Sequence, residues 1–262
     1  HECYNGKREK NAGCKTRLAR MWRKQNVPNE TKNDFCCLIV SGFGAGSQAG
    51  VILRDHMCDS GIDTFLTTPS GSEELRLDKD HWVHGVRMEY LALRKQYQRV
   101  ALVGLSLGGV LLLHMQDLKP AASIFVNTPC AAVRQTHLWN RIFQSDLQPR
   151  FHGVRAVPAR HQLNQLIRRT KKQGAGCVQC PVLVLQTRDD AVCDPSNAEH
   201  LFKQMHVPDK GLRYYPEGGH DVLCSRTVLA VCSDIFQFCS RIRGLEVDPI
   251  KQEEQLLEEE PF

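Results

Sequence analysis

The pentapeptide Gly104-Leu105-Ser106-Leu107-Gly108 stands between two apolar runs, Val100-Ala101-Leu102-Val103 and Val110-Leu111-Leu112-Leu113. So flanked, it reads as a strand, a tight turn and a helix with a serine at the apex. Glycines two residues either side let the backbone take a cramped turn that side chains would block. The hydroxyl then stands exposed, and the following helix aims its N-terminal amides at the same point. The competing reading is a glycine-rich strand-to-helix connection that contains serine by coincidence. What the rest of the chain supplies decides between the two.

Elsewhere the elements alternate as a parallel sheet with helical crossovers requires. Phe35–Val40, Ile62–Leu66, Ala121–Val126, Pro181–Gln186 and Leu212–Tyr215 read as further strands. Asp78 can cap a helix over about Lys79–Gln96, in which Trp82, Val83, Val86, Tyr90 and Leu93 recur at helical spacing. Ser196–His206 and Thr227–Ile242 read as the last two helices. A chain of 262 residues with 42% apolar content can bury the core of one α/β sheet carrying an insertion.

A serine hydroxyl is a poor nucleophile near neutral pH and needs a base in hydrogen-bond reach, with an acid to fix that base's tautomer. Both follow Ser106 in the chain. Thr187-Arg188-Asp189-Asp190 lies at the C-terminal end of one buried strand, the edge where open α/β sheets hold their ligands. Pro216-Glu217-Gly218-Gly219-His220 is a turn-rich loop that presents His220 beside the same edge.

Taken together, Gly104–Gly109, the Gln186–Pro195 segment and Gly218-Gly219-His220 resemble the bacterial carboxylesterase and monoacylglycerol lipase branch of the α/β-hydrolases. The resemblance covers about residues 35 to 243 and implies an α/β-hydrolase fold: a mostly parallel central sheet, helices on both faces and a helical lid insertion. It implies a catalytic Ser106, His220 and Asp190, and no metal or organic cofactor. The family's acidic residue is followed by a branched apolar residue at the second position and then by proline. Asp190-Ala191-Val192 with Pro195 fits this better than Asp189 does. Neighbouring residues at a strand end point in different directions, so the two are not interchangeable. Asp189 and Asp194 read as a turn former and a helix cap.

Two backbone amides are implied as the oxyanion hole, those of Phe43 and Leu107. Phe43 belongs to Ser41-Gly42-Phe43-Gly44, which follows the first strand, and Ser41 stands where the family commonly has histidine. A phosphate loop over Gly42–Gly50 is the alternative, but no Gly-Lys-Ser/Thr follows and the glycine spacing does not fit a dinucleotide fingerprint. Nucleic-acid binding is not expected.

The implied reaction is hydrolysis of carboxylic esters of apolar acyl groups, with a thioesterase or lysophospholipase using the same residues as the alternative. A hydrolase-like binding protein that has lost catalysis is the third possibility. The intact serine, acid and histidine set argues against it.

Residues 128–176 fit neither a strand nor a structureless connection, and are expected to form the lid. Leu138, Trp139, Ile142, Phe143 and Leu147 suggest one amphipathic helix, and Leu163, Leu166 and Ile167 a second, whose apolar residues either seat the insert or contact an acyl chain. From Cys130 to Gly176 nine Arg or Lys face one acid, a balance of +8 in a chain of +5, so the remainder nets −3. A field of this sign attracts anionic esters or anionic lipid surfaces, unless the helix simply presents a solvated face. Residues 1–34 form an expected basic arm, with Leu18, Met21 and Trp22 among Lys15, Arg17, Arg20, Arg23 and Lys24; residues 244–262 form an acidic tail.

Among the twelve cysteines, Cys36 and Cys37 fall inside a buried strand and Cys232 and Cys239 on a helical pattern, which suits buried thiols better than a disulfide framework. Cys177 and Cys180 with Cys193 and His200 invite a zinc reading, but the strand between them keeps the ligands from converging. Cysteines of this distribution suit a reducing compartment, so a cytoplasmic location is the expectation, and the given sequence holds no apolar run of membrane-spanning length.

Overall fold

The computed structural model describes residues 33–42, 48–69, 78–130, 156–173 and 175–244. Strands β1 (Asn33–Val40), β2 (Thr64–Thr67), β3 (Tyr97–Leu105), β4 (Ala122–Val126), β5 (Val182–Thr187) and β6 (Lys210–Tyr215) form one sheet in the order β2-β1-β3-β4-β5-β6. Every pairing is parallel. Between them lie helices α1 (Gln48–Asp59), α2 (Lys79–Gln96), α3 (Leu107–Leu113), α4 (Ala156–Gln173), α5 (Ser196–Gln204) and α6 (Val228–Arg243).

The central strands are buried along almost their whole length, as a sheet covered on both faces demands. In β1, Phe35, Cys37 and Ile39 join the core cluster that includes Leu53 and Met57 of α1 and Val231, Ile235 and Phe238 of α6. Cys36, Leu38 and Val40 alternate with them and are equally inaccessible, on the opposite face. Helix α2 starts where its sequence says it should: the Asp78 carboxylate accepts from the Asp80 amide at 3.0 Å. It buries Trp82, Val86, Tyr90 and Leu93, while Val83 is half-buried.

Strand β2 begins later than the sequence pattern suggests. Ile62 is fully buried, but its amide bonds to the Met57 carbonyl at 2.9 Å and closes the turn out of α1. In α4, Leu163, Leu166 and Ile167 are buried and the helix packs against α2 and α3, so these residues seat it on the domain. Thr170 Oγ1 adds a hydrogen bond to His114 Nε2 at 3.0 Å. The helix expected around Leu138–Leu147, residues 1–32 of the basic arm and residues 245–262 of the acidic tail lie outside the described residues, whereas Asn33 and Asp34, expected in the arm, open β1 and Gly244 caps α6.

The ten described cysteines carry free thiols. Cys180 Sγ faces Ser123 Oγ at 3.3 Å, Cys177 Sγ faces the Leu113 carbonyl at 3.8 Å, and His200 Nε2 pairs with Gln204 at 2.8 Å. Among the described residues no helix is long and apolar enough to cross a membrane.

From β1 the chain moves outward to β2, then returns past β1 to β3 and proceeds the opposite way through β4, β5 and β6. The carboxyl ends of β1 and β3 are therefore the point where the winding direction reverses. Open α/β sheets form their ligand crevice there.

Candidate active site

Ser106 stands at that point, between the end of β3 and the start of α3, with φ 52° and ψ −115°. This conformation costs a non-glycine residue about 1–3 kcal/mol and persists only where the surroundings enforce it. The enforcement is visible in its neighbours. The Ser106 amide bonds to the Val126 carbonyl at 2.9 Å, and the Ser106 carbonyl accepts from the Gly109 amide at 3.0 Å.

Glycine is required around the turn because backbones touch. A Cβ at Gly108 would lie 1.9 Å from the Val40 carbonyl oxygen, and one at Gly104 would lie 2.4 Å from the Gly109 Cα. These contacts draw α3 against β1 and β3, with the serine on the outer side of the bend. The segment just after β1 passes less tightly, since a Cβ at Gly42 would sit 3.3 Å from the Ser106 Cβ.

Residues separated by more than a hundred positions meet here. His220 Nε2 is 2.8 Å from Ser106 Oγ, and His220 Nδ1 is 2.9 Å from Asp190 Oδ2. An ionised carboxylate can only accept, so Nδ1 carries the proton and Nε2 offers its lone pair to the hydroxyl. The Asp190 side chain is fully buried and well partnered. Its Oδ1 accepts from the Val192 and Cys193 amides, both at 2.8 Å, and Oδ2 also receives the Gln186 side-chain amide at 3.3 Å. Three donors besides the imidazole compensate for burying the charge.

The neighbouring aspartates do other work. Asp189 is exposed and accepts from the amides of Gly218 at 3.1 Å and Gly219 at 2.8 Å, anchoring the loop that carries His220. Asp194 accepts from the Ser196 amide at 2.9 Å before α5, and hydrogen bonds from Ser196 hold its carboxyl below the ordinary carboxylate range. Leu107 is the first residue of α3, directly after the serine, whereas Phe43 lies outside the described residues. Ser41 is buried, and its amide and hydroxyl both turn to the Thr67 carbonyl at the end of β2.

Sequence reading missed three polar residues at this edge: Gln186 behind Asp190, and Asn127 and Thr187, which bond to the backbone of the histidine loop. Their signal was slight, a buried amide or hydroxyl at the last residues of apolar strands. Asn127 and Thr187 sit at or just past the ends of β4 and β5, and their partners lie 92, 93 and 32 positions away.

Comparison with known proteins agrees with this architecture. Residues 148–226 match a family described as serine aminopeptidase, S33, a span that takes in Asp190 and His220 and begins after Ser106. A carboxylesterase of Bacillus subtilis (strain 168) is 21% identical over 233 residues, covering 80% of this chain and 94% of the relative. Among solved structures, that from the work on LipS and LipT, two metagenome-derived lipolytic enzymes, is 17% identical with a TM-score of 0.67, over 81% of this chain and 96% of the other. The monoacylglycerol lipase of Paleococcus ferrophilus is 13% identical with a TM-score of 0.62, over 80% and 96%. A soluble variant of the Saccharomyces cerevisiae monoglyceride lipase gives 18% and 0.62, over 82% and 89%. With its all-parallel described sheet, its serine at the reversal point and these structural neighbours, the chain has the α/β-hydrolase fold.

Proposed function

We propose that this protein is a serine hydrolase of carboxylic esters with mostly apolar acyl groups, in which Ser106 is the nucleophile, His220 the general base and acid, and Asp190 the residue that orients the imidazole. The observation that carries the reading is the unbroken line of hydrogen bonds from Ser106 Oγ through both imidazole nitrogens to the buried Asp190 carboxylate. The names of the relatives, carboxylesterase and monoacylglycerol lipase, point the same way.

In the first half-reaction Ser106 Oγ attacks the ester carbonyl while its proton passes to His220 Nε2. The tetrahedral oxyanion is received by the Leu107 amide and by the amide of Phe43, a contribution of about 2.7–4 kcal/mol for a donor of this kind. Collapse expels the alcohol, which takes the proton from His220. Water, deprotonated by the same nitrogen, then cleaves the acyl-enzyme and regenerates the serine.

The test is a series of p-nitrophenyl esters from acetate to palmitate, measured with the wild type and Ser106→Ala. Short or medium chains are turned over by the wild type, and the variant loses at least about a thousandfold in kcat. A variant that keeps the rate would assign the chemistry to another group.

Charge favours a second reading of the substrate. Arg168, Lys171 and Lys172 are exposed on α4, a helix whose sequence contains no acid. Anionic lysophospholipids or acyl-thioesters would gain in association rate, and the gain would fade with salt. Comparing neutral monoacylglycerol, lysophospholipid and acyl-thioester at two ionic strengths separates the readings.

A further inference from the structure

We infer that Asn127 is a positioning residue, which keeps the His220 imidazole aligned on Ser106 by clamping the backbone of the loop that carries it. The role in turnover rests on the proposed reading of His220 as the base; the clamp itself is a structural statement and can be tested apart from activity.

The loop has little intrinsic stiffness. Gly218 and Gly219 take φ of 131° and 63°, regions that glycine enters readily and leaves as readily. Where the imidazole sits is therefore decided by what holds the surrounding peptide groups. On one side the Asp189 carboxylate takes the two glycine amides, at an exposed position where water competes. On the other side the contacts come from two buried side chains. Asn127 Nδ2 donates to the Gly219 carbonyl at 3.1 Å and to the His220 carbonyl at 2.8 Å, and Thr187 Oγ1 donates to the Gly219 carbonyl at 2.6 Å.

Asn127 is built into this task completely. It is 1% exposed, and its Oδ1 accepts from the Thr187 amide at 3.0 Å and lies 3.5 Å from the Thr187 hydroxyl. Both amide protons go to the histidine loop and the oxygen goes to β5, so one side chain ties the end of β4 to its neighbour strand and to the loop. Its backbone sits at φ 45°, a left-handed conformation that glycine would adopt without cost. The left-handed backbone by itself suits glycine or asparagine. Holding two carbonyls beside an imidazole is what uses both protons of the amide.

The decisive measurement is the NMR signal of the imidazole Nδ1–H in protein carrying 15N-labelled histidine, assigned by its loss in His220→Gln. In the wild type this proton, shared with Asp190, is sharp and exchanges slowly. In Asn127→Gly, which suits the left-handed backbone and removes both donors together with the acceptor of the Thr187 amide, it broadens or exchanges at least about tenfold faster, because local opening is no longer opposed. The dispersion of the remaining amide spectrum stays that of a folded protein.

In the same variant kcat on the best ester falls about 30- to 100-fold with KM within about threefold, as a small displacement of a catalytic group does. A part that merely supports the fold would leave the Nδ1–H signal and the ratio of kcat to KM effects unchanged. Should N127G fail to fold, Thr187→Val carries the test with the same expected change in the signal. A sharp, slowly exchanging proton in the folded variant overturns the inference, as does a wild type that lacks the signal. A signal lost in N127G from a protein without Ser106-dependent turnover keeps the clamp and removes the esterase reading instead.

Discussion

Replacing Asp190 by asparagine changes one atom and should disable the site, whereas the same change at Asp189 should not. Asparagine offers one acceptor where the carboxylate offers two, so one of the two oxygen positions becomes an NH2. Turning that NH2 toward the Val192 and Cys193 amides, now bonded to Oδ1 at 2.8 Å each, would leave one buried and one half-buried donor without acceptors. At about 1–3 kcal/mol for each unsatisfied group, that orientation is disfavoured by about 2–6 kcal/mol. The amide oxygen therefore stays with the backbone and the NH2 faces His220 Nδ1. The imidazole must then accept at Nδ1 and carry its proton on Nε2, opposite Ser106 Oγ, where a base is needed. Loss of the charge-assisted bond that stabilises the imidazolium removes about 1.5–3 kcal/mol more, and the unfavourable tautomer a comparable amount. Together the barrier rises by about 3–6 kcal/mol, a fall in kcat of roughly 10²–10⁴. The same substitution in a serine protease costs about 10⁴.

The assay is steady-state turnover of a p-nitrophenyl ester, with thermal melting to show that D190N is folded and KM expected within about threefold of wild type. For D189N the exposed side chain keeps one of its two bonds to the glycine amides, and the loss is about fivefold or less. A folded D190N within tenfold of wild type, or D189N as the more damaged enzyme, would refute the assignment of the acid.

Two glycine substitutions should act in opposite directions. Gly108→Ala drives a methyl to 1.9 Å from the Val40 carbonyl oxygen, so the Ser106 turn or β1 must move, and the variant should lose both activity and about 1–3 kcal/mol of stability in urea unfolding. Gly85→Ala, mid-helix in α2 with nothing within 4 Å of the new methyl, should gain about 0.5–1 kcal/mol and leave kcat unchanged. Alkaline pH should destabilise the fold. Burial pushes the Cys130 thiol up to about 11 and the Cys232 thiol up to about 12 from an ordinary 9.0. A thiol raised in the folded state binds its proton more tightly there, so its contribution is whole below pH 9 and declines as pH rises toward those values. The decline is about 1.4 kcal/mol per pH unit for each thiol, and urea midpoints that stay flat from pH 8 to 11 would contradict it.

Much of this was legible because local rules and long-range requirements coincide. The Asp78 cap and the apolar period from Trp82 to Leu93 fix α2 without reference to the rest of the fold. Asp190 was separated from Asp189 by the resemblance alone, through Val192 and Pro195; the Val192 and Cys193 amides that its carboxylate accepts are seen only in the structure. The roles of Asn127 and Thr187 were not legible, since the bonds that define them run to backbone groups 32 to 93 positions away and leave no periodic trace. The insert was read only in part: its apolar residues 163, 166 and 167 announce a helix, but whether they meet protein or substrate depends on α2 and α3 packing against them.

Covalent capture of the serine addresses the proposed chemistry without any choice of substrate. The folded protein is treated with a fluorophosphonate, weighed intact and digested to locate the adduct. One adduct per chain on Ser106, absent from Ser106→Ala and formed far more slowly in His220→Gln, is the predicted result. A folded wild type that takes up no label, or takes it up at another residue, would contradict it.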